Sequence, residues 1–279
     1  MDKLFHKIGG WGWYQTYSYL VIGFGINSTG WFFYGLPYFT QIPDYLCYDI
    51  VDPPPGYPPI DDPNLCTKEN IMDGNPAIAS WAIDESSPRS LNNWTMKLDL
   101  TYISDTHIAF IGTAYFIGWA ATLLWFPRFG DVYGRKKMYI LGKLMDLLVF
   151  ITIFFTKNIN VMIAAFFIFG AFTSLRVNVG YNYLIEMAPR SHKVLMGTTW
   201  NMNEGVPYLI MTIFFWTTNY GSWIWIVGIG FCFEIWCLAT VFFMPESPSW
   251  LIEKEMIDEA EQAMAMVARF NKMPFKWDR

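Results

Sequence analysis

Six apolar runs divide this chain, and each approaches the ~20 residues that a helix needs to cross a ~30 Å hydrocarbon core. They cover roughly Tyr17–Leu36, His107–Phe126, Met138–Phe155, Val161–Ile185, Val194–Trp216 and Trp223–Met244. None alternates with period two, and an open sheet in lipid would leave backbone groups unpaired, so the runs read as helices. Pro37, Pro127 and Pro245 stand just past three of them, where a helix is expected to stop. The expected fold is all-α and integral to a membrane, with six transmembrane helices and a large outer loop after the first. Composition agrees, since only 15% of the residues are charged, against about 25% in soluble domains.

Charge placement orients these helices, because Lys and Arg near helix ends are retained on the cytoplasmic side. Lys3 and Lys7 precede the first run; Arg128, Arg135, Lys136 and Lys137 lie between the second and third; Arg190 and Lys193 lie between the fourth and fifth. The expected organisation is a cytoplasmic N-terminus at 1–16, a first helix at 17–39 and an extramembrane Pro-rich loop at 40–105. Five more helices follow within 106–244, then a cytoplasmic amphipathic tail at 245–279. Met1–Gly10 is short and the first run is long enough to span, so a cleaved signal peptide is not expected.

The loop contains Asp52-Pro53-Pro54-Pro55-Gly56, which excludes long helix and predicts an irregular cap with one short helical turn. Cys47 and Cys66 are its cysteines, and a disulfide between them depends on an oxidising compartment. Cys232 and Cys237 fall in the sixth run and read as buried apolar packing. Asn93-Trp94-Thr95 is a glycosylation sequon if the loop enters a secretory lumen. Leu251–Phe270 carries Glu253, Glu255, Asp258 and Glu259 early and Arg269 late, an order that suits a helix dipole. It reads as a helix lying on the membrane surface.

Four short patterns punctuate the bundle. Gly134-Arg135-Lys136 follows Asp131 after the second run, the fourth run ends Tyr181–Glu186, the sixth opens on Trp223-Ile224-Trp225, and Pro245-Glu246-Ser247-Pro248 follows it. In this order and spacing they resemble the major facilitator superfamily and, within it, the organic cation/anion transporter family of solute carriers. Pro43-Asp44 and Cys47 match the large loop of that family. The resemblance implies two six-helix halves that rock about a central substrate cavity, of which six runs correspond to the N-terminal half only. It also implies a cytoplasmic network of Asp131, Gly134, Arg135, Lys136, Glu186, Arg190 and Glu246, with Arg135 or Lys136 in ion-pair reach of Glu186 or Glu246. The chain departs from the family at Pro127, Val132, Phe166–Phe169, Ile224 and Ser249, positions where the family carries a glycine or basic residues. Gating charges are thus lost, while those that hold one half together remain.

Lys143, Asp146, Arg176, Glu204 and Glu234 fall within apolar runs, where an ionisable group costs roughly 3 kcal/mol unless paired or hydrated. Lys143 and Asp146, three apart, are expected to pair on one helix face. Asn27, Arg176, Asn178, Asn182 and Glu204, with Ser28 and Thr29, are the candidate cavity or lipid contacts. Arg176 would meet an anionic substrate or headgroup with Glu204 as counter-charge, or else form an internal salt bridge.

Enzymatic chemistry finds no support. There is no Gly-rich phosphate loop, paired-cysteine metal site or His-Glu-x-x-His run, so no catalytic residue, cofactor or metal is expected. No basic, aromatic-interleaved surface suits nucleic acid. Two functions are weighed. In the first, a half-transporter-like chain is an accessory subunit of a larger membrane complex, held by other membrane subunits and lipids and without transport of its own. In the second, it is half of a split organic-ion or solute transporter that works with a second six-helix chain. Gly112, Ala114, Gly118, Ala120 and Ala121 on the second run, and Gly197, Thr198, Asn201, Asn203, Glu204 and Gly205 on the fifth, are expected to face a partner protein or tightly held lipids, with Glu204 directed away from bulk hydrocarbon. The expected location is multi-pass in the mitochondrial inner membrane or the plasma membrane.

Overall fold

The computed structural model describes residues 5, 10–62, 64–218, 222–275 and 277, and is mostly helical. Lys3 and Lys7 lie outside the described residues. In chain order come α1 (Trp13–Phe39), β1 (Tyr45–Tyr48), α2 (Lys68–Met72), β2 (Ser80–Ile83) and α3 (Trp94–Lys97). The bundle continues with α4 (Asp105–Thr122), α5 (Phe126–Tyr133), α6 (Arg135–Phe155), α7 (Ile159–Ser174), α8 (Gly180–Glu186), α9 (Lys193–Thr217) and α10 (Trp223–Val241). Two tail helices close it, α11 (Pro248–Glu253) and α12 (Ile257–Phe270).

Among the described residues three stretches are long and apolar enough to cross a membrane: α6, Ile159–Glu186 and α10. The pair α4 and α5, bent by 48°, makes a fourth when read as one broken span. The helices α1 and α9 are as long, at 27 and 25 residues, but their tyrosines, asparagines and threonines lower their hydropathy.

Pro245 stands just past α10 as expected, but Pro37 and Pro127 behave differently. Pro37 lies inside the last turn of α1, where its missing N–H costs one helical bond. The helix ends at Phe39 instead, and Thr40 donates from both its N–H (3.0 Å) and its Oγ1 (2.9 Å) to the Leu36 carbonyl. Pro127 opens α5, a position its fixed φ suits. The fourth run is not one regular helix either: Leu175–Val179 forms a π-helical segment between α7 and α8.

Glycines decide where helices touch. A Cβ added to Gly170 would strike the Tyr115 carbonyl, and one added to Gly118 would strike the Phe167 carbonyl, so α4 and α7 meet backbone to backbone. Gly118 and Ala114 are therefore buried within this chain, which corrects their expected place on a partner face. Ala120, Ala121, Asn201 and Gly205 are exposed. Phe32 packs on Phe150 at 4.2 Å and on Phe169 at 5.8 Å, tying α1, α6 and α7 together.

The loop between α1 and α4 is more regular than an irregular cap. Its β1 and β2 pair antiparallel, with Tyr45 opposite Ile83 and Cys47 opposite Trp81. A disulfide joins Cys47 to Cys66. Trp94 is fully buried against Phe39 (4.9 Å), Phe166 (5.8 Å) and Trp223 (6.2 Å), so the loop seals one end of the bundle. Asn93 is buried and donates its amide to the Tyr38 and Gln41 carbonyls at 2.9 and 2.8 Å. Its side chain is thus consumed structurally, and the sequon is closed to glycosylation in the folded state.

The tail is not a single surface helix. It breaks at Lys254–Met256, with Glu255 at φ 61°, and α12 buries Met264, Val267 and Ala268 in the bundle core and Ala260 and Ala263 against Trp250 and Leu251. Asn271 accepts the Tyr14 N–H at 2.8 Å, filling one of the donors that the start of α1 leaves open.

Substituting Gly170 tests the close approach. Gly170→Ala should lower the thermal midpoint of detergent-purified protein by the equivalent of about 3 kcal/mol, the upper end of overpacking costs. Gly205→Ala, where a Cβ meets nothing within 4 Å, should leave the midpoint unchanged or slightly raised. Equal midpoints for the two variants would contradict the contact.

Candidate functional site

Four ionisable side chains meet in the middle of the bundle, all essentially buried. Lys143 of α6 places Nζ 2.5 Å from Glu234 Oε2 of α10, and donates to Ser28 Oγ (2.8 Å) and the Gly25 carbonyl (2.7 Å) of α1. Ser28 Oγ also donates to Glu234 Oε2 at 2.5 Å. One turn along α6, Asp146 Oδ2 lies 2.9 Å from Arg176 Nε. Arg176, held within the π segment, donates Nη2 to Thr173 Oγ1 at 2.9 Å and stacks its guanidinium over Phe169.

This corrects two expectations. Lys143 does not pair with Asp146, because an intrahelical pair would leave Glu234 and Arg176 buried without counter-charges, an arrangement costing several kcal/mol. Glu204 is not the counter-charge of Arg176, since Asp146 takes that place.

Arg176 also borders a cleft of about 110 Å³. Asn27 and Tyr34 from α1, Tyr115 from α4, Thr173 from α7 and Glu204 from α9 complete its polar lining. Asn27 donates to Asn203 Oδ1 at 2.9 Å, and Asn203 donates to the Gly23 carbonyl at 2.9 Å, so α9 is bonded to α1 beside the cleft. The Oδ1 of Asn27 is buried without a hydrogen-bond partner. The structure thus brings together Asn27, Arg176 and Glu204 of the candidate cavity residues. Asn178 is half-buried and does not line the cleft, Asn182 is exposed on α8, and the side chain of Thr29 lies outside the described residues. Tyr34, Tyr115 and Thr173 carried no sequence signal that separates them from ordinary packing residues.

A second polar cluster closes one end of the bundle. Arg135 pairs with Asp131 and holds Glu186 Oε1 at 3.2 Å from Nε. Glu186 in turn accepts from Ser247 Oγ. Glu246 Oε1 accepts the backbone N–H groups of Lys136 and Ser247, both at 2.9 Å, and Trp250 Nε1 donates to the Asp131 carbonyl at 2.8 Å. Gly134 sits at φ 110°, and a Cβ there would collide with Glu246. The ammonium of Lys136 bonds the Phe242 carbonyl at 2.8 Å rather than a carboxylate. Arg190 lies exposed on the turn Arg190–His192. Cys237 is buried as expected and donates to the Val21 carbonyl, but Cys232 is exposed on α10, because its side of the helix faces out of the bundle. Among the described residues no cluster of His, Cys, Asp or Glu could hold a metal ion.

The Lys143–Glu234 pair gives a measurable consequence. Lys143→Met should destabilise the protein by about 3–5 kcal/mol, because Glu234 is left as an uncompensated buried charge. The double variant Lys143→Met/Glu234→Leu should recover most of that loss in thermal unfolding. A double variant as unstable as the single would refute the pairing account.

Comparison with known proteins places this architecture. The chain is 29% identical over 194 residues to hexose transporter 2 of Kluyveromyces lactis, covering 63% of this chain and 31% of that one. It is 30% identical over 138 residues to monosaccharide-sensing protein 3 of Arabidopsis thaliana, covering 48% and 19%. It is 27% identical over 135 residues to the galactose-proton symporter of Escherichia coli K12, covering 47% and 28%. The chain thus spans a third or less of the length of these relatives. The family described as Sugar (and other) transporter matches residues 69–273, well over half of the chain. This is an integral, multi-pass membrane protein of the major facilitator superfamily, and it belongs to the sugar (and other) transporter family.

Proposed function

We propose that this bundle is one wall of a solute-transport pathway, that its long helices make six spans with the β1–β2 loop outside, and that a second helical half completes the cavity. The observation that carries the reading is the cleft bounded by α1, α4, α7 and α9, where hydrogen-bonding groups converge on a small opening in an otherwise apolar bundle. A pathway between two rocking halves needs such a surface on each.

The electrostatics of the cleft narrow the solute. Arg176 is neutralised by Asp146, so it does not present a free cation to an anion. Asn27, Tyr34, Tyr115 and Thr173 offer neutral donors and acceptors, which suit a hydroxylated, uncharged solute of the sugar class. The kinship with sugar transporters supports the same choice over the organic-ion affiliation drawn from the short motifs. One observation favours an organic cation as second reading: Glu204 faces the cleft beside Tyr34, Tyr115 and Trp119, an acid among aromatic rings. An accessory-subunit role has less support, because two of the three relatives named above are a transporter and a symporter and the cleft keeps its polar lining. Of the two membranes considered, the plasma membrane suits the Cys47–Cys66 bridge better, since its outer side is oxidising.

Uptake into proteoliposomes that hold this bundle together with the second half isolated with it from the native membrane tests this. Labelled hexose should enter saturably, and Asn27→Ala should cut that uptake by roughly tenfold, the equivalent of one lost hydrogen bond. Uptake of an organic cation that Glu204→Gln abolishes, without hexose uptake, would replace the first reading with the second. No flux of either solute would return the accessory role.

A further inference from the structure

A groove of about 820 Å³ runs between α1 and α10 and shares no residue with the cleft. Its walls are Leu20 and Phe24 of α1, Phe154 of α6, and Trp225 and Trp236 of α10, with Gly228 on its floor. From Ile224 to Trp236 it extends about 18 Å along α10, close to the ~15 Å depth of one membrane leaflet. A partner helix in lipid would need small residues and polar side chains to pack against. Gly228 and Cys232 are small, but the walls around them are large apolar side chains that leave an open slot, which suits a flexible hydrocarbon chain.

The loop end of the groove carries positive charge. Lys97 donates to the carbonyls of Ile153 and Phe154, the latter a groove residue, and its Nζ lies 4.5 Å from the ring centroid of Trp223. Lys157 follows three residues after Phe154 and is exposed. Burial and the neighbouring Lys157 cation push the Lys97 ammonium down to about 8. Lys97, bonded to the Phe154 carbonyl, and Lys157, just past the end of α6, thus both stand at the end of the groove that Phe154 marks.

We propose that this groove holds one acyl chain of an anionic phospholipid, with the lipid phosphate seated between Lys97 and Lys157 at the loop end. The phosphate offsets the repulsion between the two ammonium groups, while the chain covers Phe24, Phe154 and Trp236. A zwitterionic lipid brings the same phosphate with its own cation beside it, so it gains less of the first term.

Native mass spectrometry of the purified protein tests this in micelles doped with phosphatidylglycerol or with phosphatidylcholine of the same chains. The wild type should retain one phosphatidylglycerol in preference to phosphatidylcholine, and Lys157→Gln should reduce that preference roughly fivefold. Gly228→Trp fills the slot, since a Cβ there meets nothing within 4 Å, and should abolish retention of both lipids. Gly228→Leu gives the same reading should the tryptophan variant not fold. Equal retention of the two lipids by the wild type, undiminished retention in the filled variant, or a dimer that Gly228→Trp dissociates would each overturn the proposal.

Discussion

Two acid–base pairs buried at mid-bundle constrain everything around them. A lone charge in this apolar interior is costly, and removing one member of a pair exposes the other to that cost. Lys143 and Asp146 both project from α6, yet each is neutralised by a different element, Glu234 of α10 and Arg176 of the π segment after α7. The Gly25 carbonyl and Ser28 hydroxyl extend the first pair to α1. Three elements are thereby fixed in depth and rotation around α6, because sliding any one of them would separate a buried contact.

Packing and capping complete what the charges begin. Gly118 and Gly170 bring the α4 and α7 backbones together, and the Trp94 ring plugs one end of the bundle beneath the disulfide-linked loop. At the other end the neighbouring Asp131 and Arg135, together with Glu186 and Ser247, join three stretches that are distant in sequence. Both ends are therefore fastened independently of the polar cleft. A rigid half is what a rocking mechanism requires, since the motion then occurs between halves rather than within one.

The helical framework was legible in the sequence because length, hydropathy and the absence of period-two alternation act locally. The close spacing of Gly134, Arg135 and Glu246 relative to helix ends likewise pointed to a polar cluster, and Arg135 does meet Glu186. Pairing across the interior was not legible. Ser28 and Glu234 are separated by 206 residues, and no local spacing reveals that α1 and α10 are neighbours. The three-residue interval between Lys143 and Asp146 misled for the same reason: it measures proximity on one helix but not the pull of partners on others. Asn93 shows the reverse error, since a short sequence pattern says nothing of a side chain already bonded to Tyr38 and Gln41. The β1–β2 pairing escaped notice because prolines dominate the loop and its strands are only four residues each.

The central claim is that the face bearing Asn27, Arg176 and Glu204 meets an aqueous path, whereas the outer sides of α6 and α7 meet lipid. Cysteine accessibility in native membranes tests this most directly, in a Cys232→Ser background because Cys232 is exposed. A charged, membrane-impermeant thiol reagent should modify Glu204→Cys and Asn201→Cys rapidly, and leave Leu148→Cys and Ile168→Cys, exposed on α6 and α7, unmodified. Glu204→Cys and Asn201→Cys as inert as the lipid-facing positions would contradict the account.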